Sequence, residues 1–169
     1  MRKSIAALGV LLVSCVVTAQ QPQTPGKEHE RLKQLEGTWE TTLEAGGMKN
    51  KGTMTYTMEV GGMWLVGSME SDLGGMKYHG RSLDSYDARK KKYIGTWFDS
   101  MSGHPMVMEG DYDAAKKTMT MTTEAPGPDG KTATWKSVTH LPDADNMHMS
   151  MFVGDGKEPM FTVTYKRKK

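Results

Sequence analysis

The chain has 169 residues, with 22 basic against 20 acidic side chains and a single cysteine. Its basic start and first apolar run read as a cleavable leader, leaving Gln20–Lys169, a formally neutral, cysteine-free stretch of a length that suits one domain. This composition excludes disulfide scaffolds, thiolate metal sites and thiol nucleophiles, and it lacks the net positive charge that normally marks nucleic-acid binding. Ile, Val, Leu and Phe supply only 17 of those 150 residues, which alone would point to disorder. Fifteen Met, six Tyr and four Trp make up the deficit, so a core of thioethers and aromatic rings is available.

In chain order, Met1-Arg2-Lys3 precedes an apolar run from Ile5 to Val17, broken only by Gly9 and Ser14. The run is too short for a bilayer, which takes about 20 residues, and has the dimensions of a signal-peptide core. Val17-Thr18-Ala19 offers small residues for cleavage before Gln20, so 1–19 is expected to be a signal peptide and the protein periplasmic or secreted. A rival reading takes Leu12-Val13-Ser14-Cys15 as a lipobox, with a lipid anchor on Cys15. No other stretch is apolar enough to form a transmembrane segment. Residues 20–27, polar and proline-bearing, read as a linker, and 28–169 as a single domain.

Glu28–Glu36 is the one predicted helix, with Leu32 and Leu35 on a common face and Gly37 as its stop. Beyond it the hydrophobic period becomes two. Met54, Tyr56, Met58 and Val60 alternate with Thr53, Thr55, Thr57 and Glu59. Met119 and Met121 alternate with threonines, Met147, Met149, Met151 and Val153 with His148, Ser150 and Phe152, and Phe161, Val163 and Tyr165 with Thr162 and Thr164. Each segment reads as a strand with one buried face. Turn signals recur about every 13 residues, from Gly46-Gly47 to Gly154-Asp155-Gly156, and predict about ten strands. Tyr86-Asp87-Ala88-Arg89-Lys90-Lys91 returns as Tyr112-Asp113-Ala114-Ala115-Lys116-Lys117, two strand units later, as in a meander whose alternate turns share one end. The expected fold is all-β: an antiparallel up-and-down β-barrel of about ten strands behind a short N-terminal helix. Closure removes the exposed edges, and such a barrel is wide enough for a small ligand. A two-sheet sandwich is the alternative.

A short helix running into Gly37-Thr38-Trp39 resembles the opening of calycin-type barrels, the group of lipocalins and fatty-acid-binding proteins. A longer series is more specific: Gly61-Gly62-Met63-Trp64-Leu65, Tyr86-Asp87 with Lys91-Lys92-Tyr93, Gly95-Thr96-Trp97-Phe98-Asp99-Ser100-Met101, Glu109-Gly110-Asp111-Tyr112-Asp113 and Thr162-Val163-Thr164-Tyr165-Lys166-Arg167-Lys168. It resembles a bacterial family known as domain of unknown function 1579, from Glu28 to the C-terminus. The resemblance implies an exported, calycin-like barrel and transfers no catalytic or binding residue.

The methionine runs 106–108, 119–121 and 147–151 look at first like soft Cu(I) ligands. Strand parity, however, sends His148 away from Met147 and Met149, and flexible Met is a good filler of irregular interiors. His140 and His148 are the candidates for an iron ligand if the barrel held haem. Ser100 and His104 lack a nucleophile-elbow sequence around them, and the runs 89–92 and 166–169 read as solvated strand ends. No catalytic residue, metal ligand or cofactor is assigned. The expected function is non-catalytic binding of a small, largely apolar ligand inside the barrel. Its wall is expected to include Trp39, Tyr56, Met58, Trp64 and Trp97, with Asp99 and Glu109 as polar anchors that meet across a hairpin. The competing readings are a haem or copper protein and a structural or interaction protein of the cell envelope. An enzyme would need titratable groups such as Asp99, His104 and Glu109 gathered at one rim.

Overall fold

The computed structural model describes residues 23–169; the expected leader with Cys15, and the first residues of the linker, lie outside the described residues. After helix α1 (Lys27–Lys33) come ten strands: β1 (Gly37–Ala45), β2 (Met48–Glu59), β3 (Trp64–Leu73), β4 (Met76–Asp87) and β5 (Lys92–Asp99), then β6 (Met106–Asp113), β7 (Thr118–Pro126), β8 (Thr132–His140), β9 (Asn146–Val153) and β10 (Phe161–Arg167). Each pairs antiparallel with its predecessor, and β10 returns to β1 through Trp39 opposite Arg167 and Leu43 opposite Val163. The sheet is therefore a closed meander, not a sandwich.

The alternation read from sequence sets which face is inside. Met54, Met69, Met147, Val163 and Tyr165 face inward and pack with Trp39 into one buried cluster. Their threonine and lysine neighbours face outward. Two charged turns at one end carry the repeated sequence: Asp87 Oδ1 accepts the backbone N–H of Arg89 at 2.9 Å, and Asp113 Oδ1 accepts that of Ala115 at 3.0 Å. In both, the last lysine of the motif, Lys91 or Lys117, takes a left-handed φ of 55° or 50°.

Helix α1 covers that same end. Leu32 is buried against Leu65 and Tyr93, and Leu35 packs against both interior clusters. The α-helix ends sooner than the sequence predicts, and the chain from Gln34 to Glu36 continues in tighter turns with i to i+3 hydrogen bonds. That geometry lets Leu35 present its carbonyl to Trp39 Nε1 at 2.9 Å, while Glu36 Oε1 accepts the Met58 N–H at 2.7 Å. The Arg167 guanidinium lies 4.1 Å from the Trp39 ring centroid and donates to the Gln34 and Glu36 carbonyls, tying the last strand to the helix.

Val60 departs from the expected inner face. Strand β2 stops at Glu59, and Val60, Gly61 and Gly62 all adopt positive φ in a tight turn, leaving Val60 71 % exposed. A β-branched residue in that region is strained, and the turn, not core packing, determines its direction.

Candidate ligand-binding site

The inner wall is not uniformly sealed. Trp39 and Met54 are 1 % exposed, whereas Tyr56, Asp84, Trp97, Met108 and Met121, whose side chains also point inward, keep partial exposure. Tyr56 and Asp84 point into the barrel by register and still keep partial exposure, which leaves room for solvent beside them. Register places these groups on neighbouring strands: Tyr56 is opposite Gly67, Gly67 opposite Ser82, and Ser82 opposite Trp97. One step along, Leu65 is opposite Asp84 and Asp84 opposite Gly95. A Cβ on Gly80 would overlap the Trp97 ring, and one on Gly95 would lie 2.7 Å from Asp84 Oδ1. The bare backbone at these two positions is what lets the indole and the carboxylate lie flat against the wall.

Asp84 is the chemical centre of this space. Burial pushes its carboxyl up to about 6, and Ser82 draws it down only in part. Ser82 Oγ is itself buried without a partner in good hydrogen-bonding geometry. No cationic side chain acts on the carboxylate. The phenols of Tyr56 and Tyr165 are raised by burial first, then by the charge of Asp84 and, for Tyr56, by Tyr165, with no hydrogen bond to relieve either. A buried polar group lacking a partner is unfavourable by about 1–3 kcal/mol, a cost that falls here on Ser82 Oγ.

The residues expected from sequence separate into three sets. Tyr56 and Trp97 point into the barrel and keep partial exposure. Trp39 and Met58 also point inward, but Trp39 is sealed in the core and Met58 packs beneath the helix beside Leu32 and Leu65. Trp64 and Glu109 lie on the outer face. Glu109 is opposite Ile94, on the parity that excludes Trp97 and Asp99, and its carboxylate pairs with Lys90 at 2.6 Å. Asp99 and Glu109 therefore do not meet across the hairpin. Asp99 instead accepts from Trp97 Nε1 at 2.9 Å, Tyr78 Oη at 3.1 Å and the Met101 backbone at 2.8 Å, fixing the indole and the turn beyond β5. His140 and His148 are direct cross-strand partners, both exposed on the outside, so neither faces the interior. Among the described residues no three His, Cys, Asp or Glu side chains gather as a metal site.

Trp64 and Glu109 instead border a groove of about 560 Å³ on the outer wall. The β6–β7 ladder runs only from Glu109 opposite Thr122 to Asp113 opposite Thr118, although β6 begins at Met106 and β7 continues to Pro126. Above that point the two strands part. The groove lies over the gap, and its lining includes Met108 and Thr123, which by parity belong to the inner face. Sequence reasoning missed Asp84, Ser82, Tyr165 and this split; the alternation Tyr78, Gly80, Ser82, Asp84, Tyr86 was the available signal for the first two.

A helix-capped, ten-stranded closed meander barrel with Met and aromatic side chains on its inner face is the class these features define. The chain belongs to the family described as "Protein of unknown function (DUF1579)", whose model matches residues 24–167. No curated protein matches it. Among solved structures it is similar to a redesigned beta barrel, with 14 % identity over 82 % of this chain and 95 % of that one, at a TM-score of 0.45.

Proposed function

We propose that the protein binds a small, largely apolar ligand in the barrel interior and performs no chemistry on it. The observation that carries this reading is the set of inward groups, Tyr56, Asp84 and Trp97 above all, that point into the barrel by register and still keep partial exposure. Thioethers and aromatic rings make up most of that wall, as expected of a ligand pocket with few polar anchors. The gap between β6 and β7 supplies a way in. The leader read from sequence supports export, so the ligand would be met outside the cytoplasm.

Native mass spectrometry of protein purified without denaturation from an exporting bacterium tests the reading. A stable added mass is the expected result. A clean apo mass that stays clean after incubation with a cell-lipid extract would overturn it. A second reading, an interaction protein of the envelope, has its own support in the outer face of β4–β6. There Leu83, Phe98 and Val107 are 36 %, 42 % and 57 % exposed.

A further inference from the structure

We propose that the ligand of the barrel interior is a cation, a protonated amine or quaternary ammonium on an apolar body, with its positive group seated against Asp84 between Tyr56 and Tyr165. This inference rests on the interior-binding reading and sharpens it. Four features of the wall point the same way. First, Asp84 is an inward-facing carboxylate, opposite buried Leu65 and lying against Gly95, with no cationic side chain acting on it. Second, two arginines at the helix-covered end, Arg31 and Arg167, are committed elsewhere. Arg31 lies 3.9 Å over the Tyr112 ring and donates to Tyr93 Oη at 3.2 Å, while Arg167 is held over Trp39 by the carbonyls of Gln34 and Glu36. Third, Ser82 and Thr41 are 7 % and 2 % exposed, face inward, and have hydroxyl oxygens without partners. Fourth, the remaining surface is aromatic faces and polarizable thioethers, and an aromatic face attracts a cation.

An anion would have to approach Asp84 against its charge, since no donor of opposite sign waits beside it. A neutral apolar molecule would leave the carboxylate with only the Ser82 hydroxyl and the two phenols with no polar partner, a costly arrangement for such groups. A cation satisfies the carboxylate directly. Its alkyl or aryl body then fills the space bounded by Trp97, Met108 and Met121.

The test compares three eight-carbon probes that differ only in the head: octylammonium, octanol and octanoate. Each is titrated calorimetrically into the full protein at pH 8. Octylammonium is expected to bind at least about tenfold more tightly than either of the others, equivalent to about 1.4 kcal/mol. The preference should disappear in Asp84→Asn, or in Asp84→Ser if the first variant does not fold. If octanol or octanoate binds as tightly as the amine, the interior-binding reading stands and the cation is wrong. If the preference survives both substitutions, Asp84 is not the seat and the inference fails. If none of the probes binds, the interior-binding reading itself falls.

Discussion

Replacing Asp84 by Asn isolates the energetic cost of a carboxylate held inside the barrel. A solvated aspartate titrates near 3.8, and burial moves Asp84 to about 6. Between those values the folded protein keeps a proton that the unfolded chain has released. Stability from this group is therefore fully present below pH 3.8 and is lost as pH rises through about 6. At 1.36 kcal/mol per pKa unit, the difference comes to about 3 kcal/mol. Asparagine cannot ionise and loses nothing over the same range. Its stability relative to wild type should thus rise by about 3 kcal/mol between pH 3.5 and pH 8, roughly 6–12 °C in melting temperature for a domain of this size. Urea denaturation of both proteins at pH 3.5, 5 and 8, at constant ionic strength, reads this directly. Carboxylates common to both chains cancel in the difference, and Tyr56 and Tyr165, which face the group, titrate far above the window. A stability difference that is the same at all three pH values would refute the argument. It would mean that solvent or an unrecognised partner already neutralises the charge.

Two further substitutions test the local geometry. Val60→Asn relieves a left-handed valine that is exposed and touches little, and should stabilise the fold by about 1 kcal/mol in the same urea titration. Gly80→Ala puts a methyl group into the Trp97 ring and should destabilise by about 1–3 kcal/mol; a matching loss of near-ultraviolet circular dichroism would identify the displaced indole.

Most of the architecture was legible because β2, β7, β9 and β10 carry Met, Tyr, Val or Phe on every second residue opposite Thr and Ser. The meander followed from even turn spacing and the repeat around Asp87 and Asp113. Strands β3 and β4 were harder, because Gly67, Ser71, Gly80 and Ser82 occupy inner positions that would ordinarily advertise themselves by size and hydrophobicity. Trp64 misled for the complementary reason: Trp64 and Val66 lie on one parity and Leu65 and Met69 on the other, so apolar character alone does not choose a face. The placement of Glu109 depends on the register of β6 against β5, with Glu109 opposite Ile94, and that is a long-range property. Asp84 escaped notice because a charged residue in a strand ordinarily faces solvent, and only the closed sheet shows that its parity leads inward. The gap between β6 and β7 falls beside Glu124, Ala125 and Pro126, poor strand formers, but composition alone does not say which neighbouring strand such a segment leaves.

The inward-facing methionines of the barrel fall into two populations, with a consequence for its chemistry over time. Met54 and Met147 are 1 % and 2 % exposed, while Met106, Met108, Met121 and Met149 border more accessible space. Peroxide entering through the parted wall would meet the second group first and convert each thioether to a polar, chiral sulfoxide. The sealed pair would react only when the barrel opened. A ligand occupying the interior would shield the accessible group and leave the sealed pair unaffected. The order in which these side chains gain oxygen, followed by peptide mass mapping, is therefore a clock for ligand residence on one side of the barrel and for unfolding on the other.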